Sequence, residues 1–127
     1  MNRSSETLLQ SMANVKVRSD FSYAIKNFLD RFKSNSDPEL LRDEPALLSP
    51  SFDDGGYADA FVASTAAYLC QIHNLQAPAW VNAKCRIMPI PWFAAKSPNM
   101  KAILLQESPA AFRVRNLFVS ANALTRA

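Results

Sequence analysis

Apolar residues recur at helical intervals along most of this chain. The clearest stripe is Phe21, Ala24, Ile25, Phe28, Leu29 and Phe32, one face at a period near 3.6 residues, which predicts an amphipathic helix. Ser19 is its expected N-cap. Asp20 in the first turn and Lys33 in the last each suit the helix dipole. Ser34-Asn35-Ser36-Asp37 ends the pattern, and Pro38 cannot continue it. Before this stripe, Leu8, Leu9 and Met12 predict a shorter helix opening near Ser4 or Ser5. After it, Pro38–Asp43 reads as a third helix with Asp37 as cap, and Ala46–Leu48 as a further turn.

A fourth helix is predicted over Tyr57–Asn74. Tyr57, Ala60, Phe61, Tyr68, Leu69 and Ile72 share a face, and Ser64 and Thr65 leave a gap where another helix can approach closely. It is apolar nearly all round, which places it at the centre of the fold. Residues 75–97 are cut up by proline. Ala79–Lys84 reads as one helical turn. Pro89-Ile90-Pro91 is too interrupted for a central strand and reads as extended backbone carrying Trp92 and Phe93 onto the core. Two Ser-Pro steps then open two helices, Asn99–Glu107 and Ala110–Arg115, with serine capping and proline in the first turn. Leu117-Phe118-Val119 reads as a short strand or extended run, which has to pair with a loop or a second copy. Ser120 is the expected cap of a last turn, Asn122–Arg126.

The expected fold is therefore all-α, an irregular helical bundle of five to seven helices with room for one short C-terminal strand. The 127 residues suit a single domain, with a loop and charge boundary near residues 49–56. Expected core residues are Phe21, Ile25, Phe28, Phe32, Phe61, Leu69, Ile72, Trp92, Leu105 and Phe112. Only two glycines occur, Gly55 and Gly56, which counts against a turn-rich β fold and leaves no phosphate-cradling loop. No secretory leader and no membrane-length apolar run is visible. The expected setting is the cytoplasm, with Cys70 and Cys85 as free thiols.

Charge is split along the chain. Residues 1–60 carry seven basic and ten acidic side chains, a net −3. Residues 61–127 carry Lys84, Arg86, Lys96, Lys101, Arg113, Arg115 and Arg126 against Glu107 alone, a net +6. Such a split suits an acidic partner for the second part, nucleic acid or an acidic protein surface. Mutual neutralisation of the two parts on folding is the competing reading.

Reactive chemistry is hard to assemble. His73 is the sole histidine, near a helix C-terminus where an imidazolium suits the dipole, and the structural reading outweighs a catalytic one. Asp53 with Asp54, and Asp43 with Glu44, sit at turns where carboxylates cap or stay solvated. No catalytic residue, no metal ligand set and no cofactor is therefore expected. Trp80, Trp92 and Phe93 suit either plugging between helices or lining a groove. Arg113 and Arg115 share one side if Val114 onward is extended and diverge if it is helical. With Asn116 they complete the candidate partner-binding set Trp80, Trp92, Phe93, Arg113, Arg115 and Asn116.

Several segments together have a recognisable texture: Asp43-Glu44-Pro45-Ala46-Leu47-Leu48, Ala77-Pro78-Ala79-Trp80, Pro91-Trp92-Phe93, and the C-terminal run from Glu107-Ser108-Pro109-Ala110-Ala111-Phe112-Arg113 to Asn116-Leu117-Phe118-Val119-Ser120-Ala121-Asn122-Ala123-Leu124-Thr125-Arg126-Ala127. The chain resembles a family of small uncharacterised bacterial proteins that end in this pattern and are often encoded beside nucleotidyltransferase-like genes, in a toxin–antitoxin-like arrangement. The resemblance implies a partner rather than a reaction. The leading expectation is a non-enzymatic helical binding protein, an antitoxin-like or accessory partner in a bacterial two-gene system. Two alternatives stay open: a nucleic-acid-binding protein using the basic second part, and a small-molecule module with a Trp-lined pocket. A protein partner is expected, nucleic acid is the second choice, a membrane is not expected, and the apolar helix faces leave room for a homodimer.

Overall fold

The computed structural model describes residues 6–48 and 55–120. The predicted helix start at Ser4 or Ser5, most of the 49–56 boundary with Asp53 and Asp54, and the last turn Asn122–Arg126 lie outside them. The order is α1 (Leu8–Met12), α2 (Arg18–Ser34), α3 (Glu39–Arg42), α4 (Gly55–Ile72), two 3-10 turns (Ala79–Asn82 and Lys84–Arg86), β1 (Trp92–Phe93), α5 (Pro98–Glu107), α6 (Ala110–Arg113) and β2 (Leu117–Phe118). The fold is helical, as the hydrophobic periodicity predicts. The C-terminal strand forms, and its partner is the Trp92-Phe93 segment: β1 and β2 pair in parallel, Trp92 opposite Leu117 and Phe93 opposite Phe118.

Helix α1 starts at Leu8 because Thr7 and Gln10 form a reciprocal capping box, each side chain bonding the other's backbone N–H. It lies along α2, tied by Arg31, which reaches the Glu6 carboxylate at 3.1 Å and donates to the Ser11 hydroxyl. Helix α2 starts at Arg18, with Val17 in the cap position and no side-chain cap, so Ser19 is already inside the helix. The Asp20 carboxylate turns back instead and accepts from the Lys16 N–H at 3.2 Å. The predicted stripe faces inward: Phe21, Ile25, Phe28, Leu29 and Phe32 are buried. Each such side chain contributes roughly 1.5–3 kcal/mol by leaving water. Helix α3 starts one residue later than expected, with Pro38 in the cap position; the Asp37 carboxylate, just before it, accepts from the Glu39 N–H at 3.0 Å. Residues Ala46–Leu48 form no helical turn.

Helix α4 is the central element, and α6 and both 3-10 turns pack against it. Its inner residues are small, with Ala58, Ala60, Ala63, Ser64, Thr65 and Ala66 all buried, so neighbouring backbone comes close. It ends at Ile72, and Asn74 takes a left-handed φ of 56° that lets the Leu75 N–H bond the Cys70 carbonyl at 2.8 Å.

Two core expectations are corrected. Ile72 is exposed, because with Gln71 it occupies the final turn of α4, beyond the packed layer. Leu105 is exposed because α5 turns Leu104 inward, and the next residue points about 100° away. Phe61 and Trp92 are half-buried rims of the core. Ser97 caps α5 as expected, accepting from the Met100 N–H at 3.2 Å. Ser108 does not cap α6. It is buried, its hydroxyl oxygen 2.6 Å from the Leu104 carbonyl and 2.9 Å from the Val119 carbonyl, which share its one proton, while it accepts from the Val119 N–H at 2.8 Å. It therefore pins the end of α5 to the residue after β2.

Candidate partner-binding face

Two arginines that the sequence places in the basic part are inside the protein. Arg86 has 0% of its surface exposed. Its guanidinium donates to the Pro45 carbonyl at 2.6 Å, the Asp59 carbonyl at 3.2 Å and the Glu44 carboxylate at 3.1 Å. It also lies over the Trp80 ring, 4.9 Å from the centroid. The Trp80 indole N–H donates to the Leu41 carbonyl at 3.0 Å. Asp59, buried one turn into α4, accepts from the Leu48 N–H. Arg86, Trp80 and Asp59 together fix residues 41–48 to α4. The buried cation is tolerated because each of its three nitrogens meets an acceptor, and the fan of guanidinium donors suits several carbonyls at once.

Arg115 is the second internal cation, 4% exposed. Its donors reach the Val81 carbonyl at 3.0 Å, the Ala111 carbonyl at 2.6 Å and the Asn82 side chain at 3.5 Å. Loss of water lowers its pKa below the usual arginine value. The divergent case for the arginine pair holds: Arg113 closes α6 and is exposed, while Arg115 points inward. Of the second part's cations, Lys84, Lys96, Lys101 and Arg113 are exposed. The Glu44 contact of Arg86 is an ion pair across the sequence's charge boundary, so part of the split is consumed inside the fold.

Arg115 and Asn116 hold the segment leading into β1. The Met88 N–H bonds the Arg115 carbonyl at 3.0 Å, the Asn116 side-chain amide donates to the Met88 carbonyl at 2.8 Å, and the Trp92 N–H bonds the Asn116 carbonyl at 2.8 Å. Asn116 adopts φ 63°, a left-handed conformation that asparagine tolerates better than most residues. Residues 87–93 thus lie along residues 113–118. On the flanks of these bonds stand Ile87, Ile90 and Val114, exposed by 39%, 71% and 67%. Arg113 is beside Val114. Trp92 and Phe93 are half-buried beneath: Trp92 packs on Tyr57 with centroids 4.3 Å apart, and Phe93 stacks on Phe118 at 4.8 Å. The predicted set is therefore divided. Trp92, Phe93 and Asn116 are joined through the β1–β2 pairing, Arg113 is exposed at the end of α6, and Trp80 and Arg115 bond internal carbonyls. The sequence reading missed Ile87, Ile90 and Val114, whose apolar character outside any helical stripe was the available signal.

Other chemistry is sparse. His73 sits at the end of α4 with its ring edge-on to Phe32, centroids 5.3 Å apart. Among the described residues no cluster of three or more His, Cys, Asp or Glu side chains is arranged to hold a metal ion. Two cavities of ≈ 360 Å³ open at the surface, one between α1 and α2 around Glu6, Asp20, Tyr23 and Arg31, the other beside Pro38, Arg42 and Pro78. Tryptophan lines neither. Among the described residues no helix is long and apolar enough to cross a membrane. No protein-family model, curated protein or solved structure matches the chain.

Proposed function

We propose that this chain is a non-enzymatic, cytoplasmic helical binding protein that holds a protein partner through the face made by residues 87–93 and 113–116. The observation that carries this reading is the exposure of Ile87, Ile90 and Val114 on or beside backbone tied by the Met88, Trp92 and Asn116 hydrogen bonds. Large apolar side chains on a preorganised surface favour association, because little ordering entropy is left to lose on binding. Arg113 at the edge supplies a cation suited to a carboxylate on the partner. Free Cys70 and Cys85 fit a reducing compartment. Following the resemblance of the C-terminal run, the partner is the product of an adjacent gene, and the chain is its antitoxin-like or accessory subunit.

The test is co-expression with the product of the neighbouring reading frame, followed by titration calorimetry of the purified pair. A complex of micromolar or tighter affinity, lost in Ile90→Asp and in Val114→Asp, supports the proposal. No complex with that product refutes the partner. A complex indifferent to both substitutions refutes the face. Titration against duplex DNA and single-stranded RNA at rising salt examines the nucleic-acid alternative, for which phosphate contacts would give a steep loss of affinity.

A further inference from the structure

The cavity between α1 and α2 uses none of the residues of that face, and polar side chains converge on it. Its volume is ≈ 360 Å³, and Gln10, Asn14, Asp20, Tyr23, Asn27 and Arg31 supply its hydrogen-bonding groups. On α2, Asp20, Tyr23, Asn27 and Arg31 follow at intervals of three, four and four, one helix face running for about 16 Å at the usual rise per residue. Most of these groups keep bonding capacity that the protein does not use. Among the described residues nothing bonds the Asn14 and Asn27 amides or the Tyr23 hydroxyl. Gln10 gives its side-chain carbonyl to the Thr7 N–H and keeps its amide donors. Asp20 gives one oxygen to the Lys16 N–H and keeps the other. Arg31 holds Glu6 and Ser11 through the same terminal nitrogen, and its Nε, shielded from water, meets no acceptor. Its Cζ stands 5.8 Å from the centroid of the Phe28 ring, so the guanidinium is held from behind. An orphaned donor of this kind calls for an acceptor from outside the chain.

The charges narrow the class of ligand. Glu6 already answers Arg31, and Asp20 is the remaining carboxylate, so the cavity holds no surplus positive charge for a phosphate or a carboxylate. A simple cation would satisfy Asp20 and leave the donors of Gln10, Asn27 and Arg31 unmet. Donors and acceptors are offered in similar measure, which suits hydroxyl groups, since each hydroxyl both donates and accepts. Tyr23 lines the cavity while 70% exposed, which places its ring at the mouth as an apolar platform. We propose that this cavity binds a neutral saccharide, one ring against Tyr23 and the next reaching along Asn27 toward Arg31. The cavity is open and leaves much of such a ligand in water, so the affinity is weak, on the order of 1 mM.

Amide NMR of the nitrogen-labelled full chain, titrated with maltose, cellobiose and diacetylchitobiose to about 50 mM, tests this, because weak sites fill in that range. The expected result is saturable shifts with at least one disaccharide, confined to residues 10–31. Tyr23→Ala should weaken binding by about tenfold through loss of the platform, and Asn27→Ala by about fivefold. Neither side chain bonds another described residue, so the remaining amide spectrum of both variants should match the unaltered chain. Glycerol at the same concentration should leave the spectrum unchanged. Absence of shifts with all three disaccharides overturns the inference. So does saccharide binding that both variants leave intact, or an equal response to glycerol. Tighter occupation of the same residues by phosphate, glutamate or spermidine overturns the neutral class of ligand.

Discussion

The guanidinium of Arg86 lies 4.9 Å from the centroid of the Trp80 ring; Trp80 bonds α3 at Leu41, and Arg86 bonds the connector that follows it at Pro45. The pair fixes residues far apart in sequence, since Arg86 bonds Pro45 and Trp80 bonds Leu41.

Removing Arg86 should be among the most damaging single changes. Arg86→Met removes the donors to the Pro45 and Asp59 carbonyls and the buried end of the Glu44 ion pair, and should cost about 3–5 kcal/mol in urea unfolding. Trp80→Phe, which keeps an aromatic ring and loses the indole N–H, should cost about 1–2 kcal/mol. A double-mutant cycle of Arg86→Met with Trp80→Leu, which removes the ring, should return a coupling of about 1 kcal/mol from the ring–cation contact.

Arg115 should resist conservative replacement. Its guanidinium spans the Val81 and Ala111 carbonyls, which a single ammonium cannot do in the same geometry. Arg115→Lys should therefore lose about 2–4 kcal/mol of unfolding free energy, close to the loss in Arg115→Met. Arg113→Lys, on an exposed side chain, should change stability by less than about 0.5 kcal/mol.

Ser108→Ala strips a buried hydroxyl from between α5 and β2. The Val119 N–H then lacks its acceptor, and stability should fall by about 1–3 kcal/mol. Ser97→Ala, at the exposed cap of the same helix, should cost about 1 kcal/mol. Both values come from thermal or urea unfolding.

The two thiols should differ in chemistry. Burial raises the pKa of Cys70 above its ordinary value of 9.0, so the folded protein keeps this thiol protonated where the unfolded chain ionises it. The unfolded state then holds fewer protons, and stability falls as pH rises above about 9. Cys70→Ala should flatten that decline. With a thiol reagent at neutral pH, Cys85 should react at once and Cys70 only as the protein unfolds.

Much of the helical layout is legible from local chemistry. The Phe21–Phe32 stripe, Asp37 before Pro38 and Ser97-Pro98 each act over one or two turns, so short-range pattern suffices. Arg86 and Arg115 were not legible as interior residues. Their acceptors are carbonyls 41 and 34 residues away, and a carbonyl leaves no mark in residue type. The same limit explains Leu105: periodicity marks a helix but does not say which of its apolar sides meets the core. Trp92 and Phe93 were placed correctly as extended backbone, while their pairing with Leu117 and Phe118 depends on backbone bonds to Asn116 and Phe118, far away in sequence. The candidate face was half visible, through its aromatic and arginine members, and its exposed isoleucines were not.

The short parallel ladder has a kinetic consequence. Its strands meet only when everything from Ala94 to Asn116 has already looped back, so closing it carries the entropy penalty of a long excursion for very few bonds. Native-state amide exchange should accordingly find the Trp92 and Ala94 protons released together, in a partial opening that leaves the α2–α4 interior closed. The ladder beneath the surface assigned to the partner would then be among the last contacts to set during refolding.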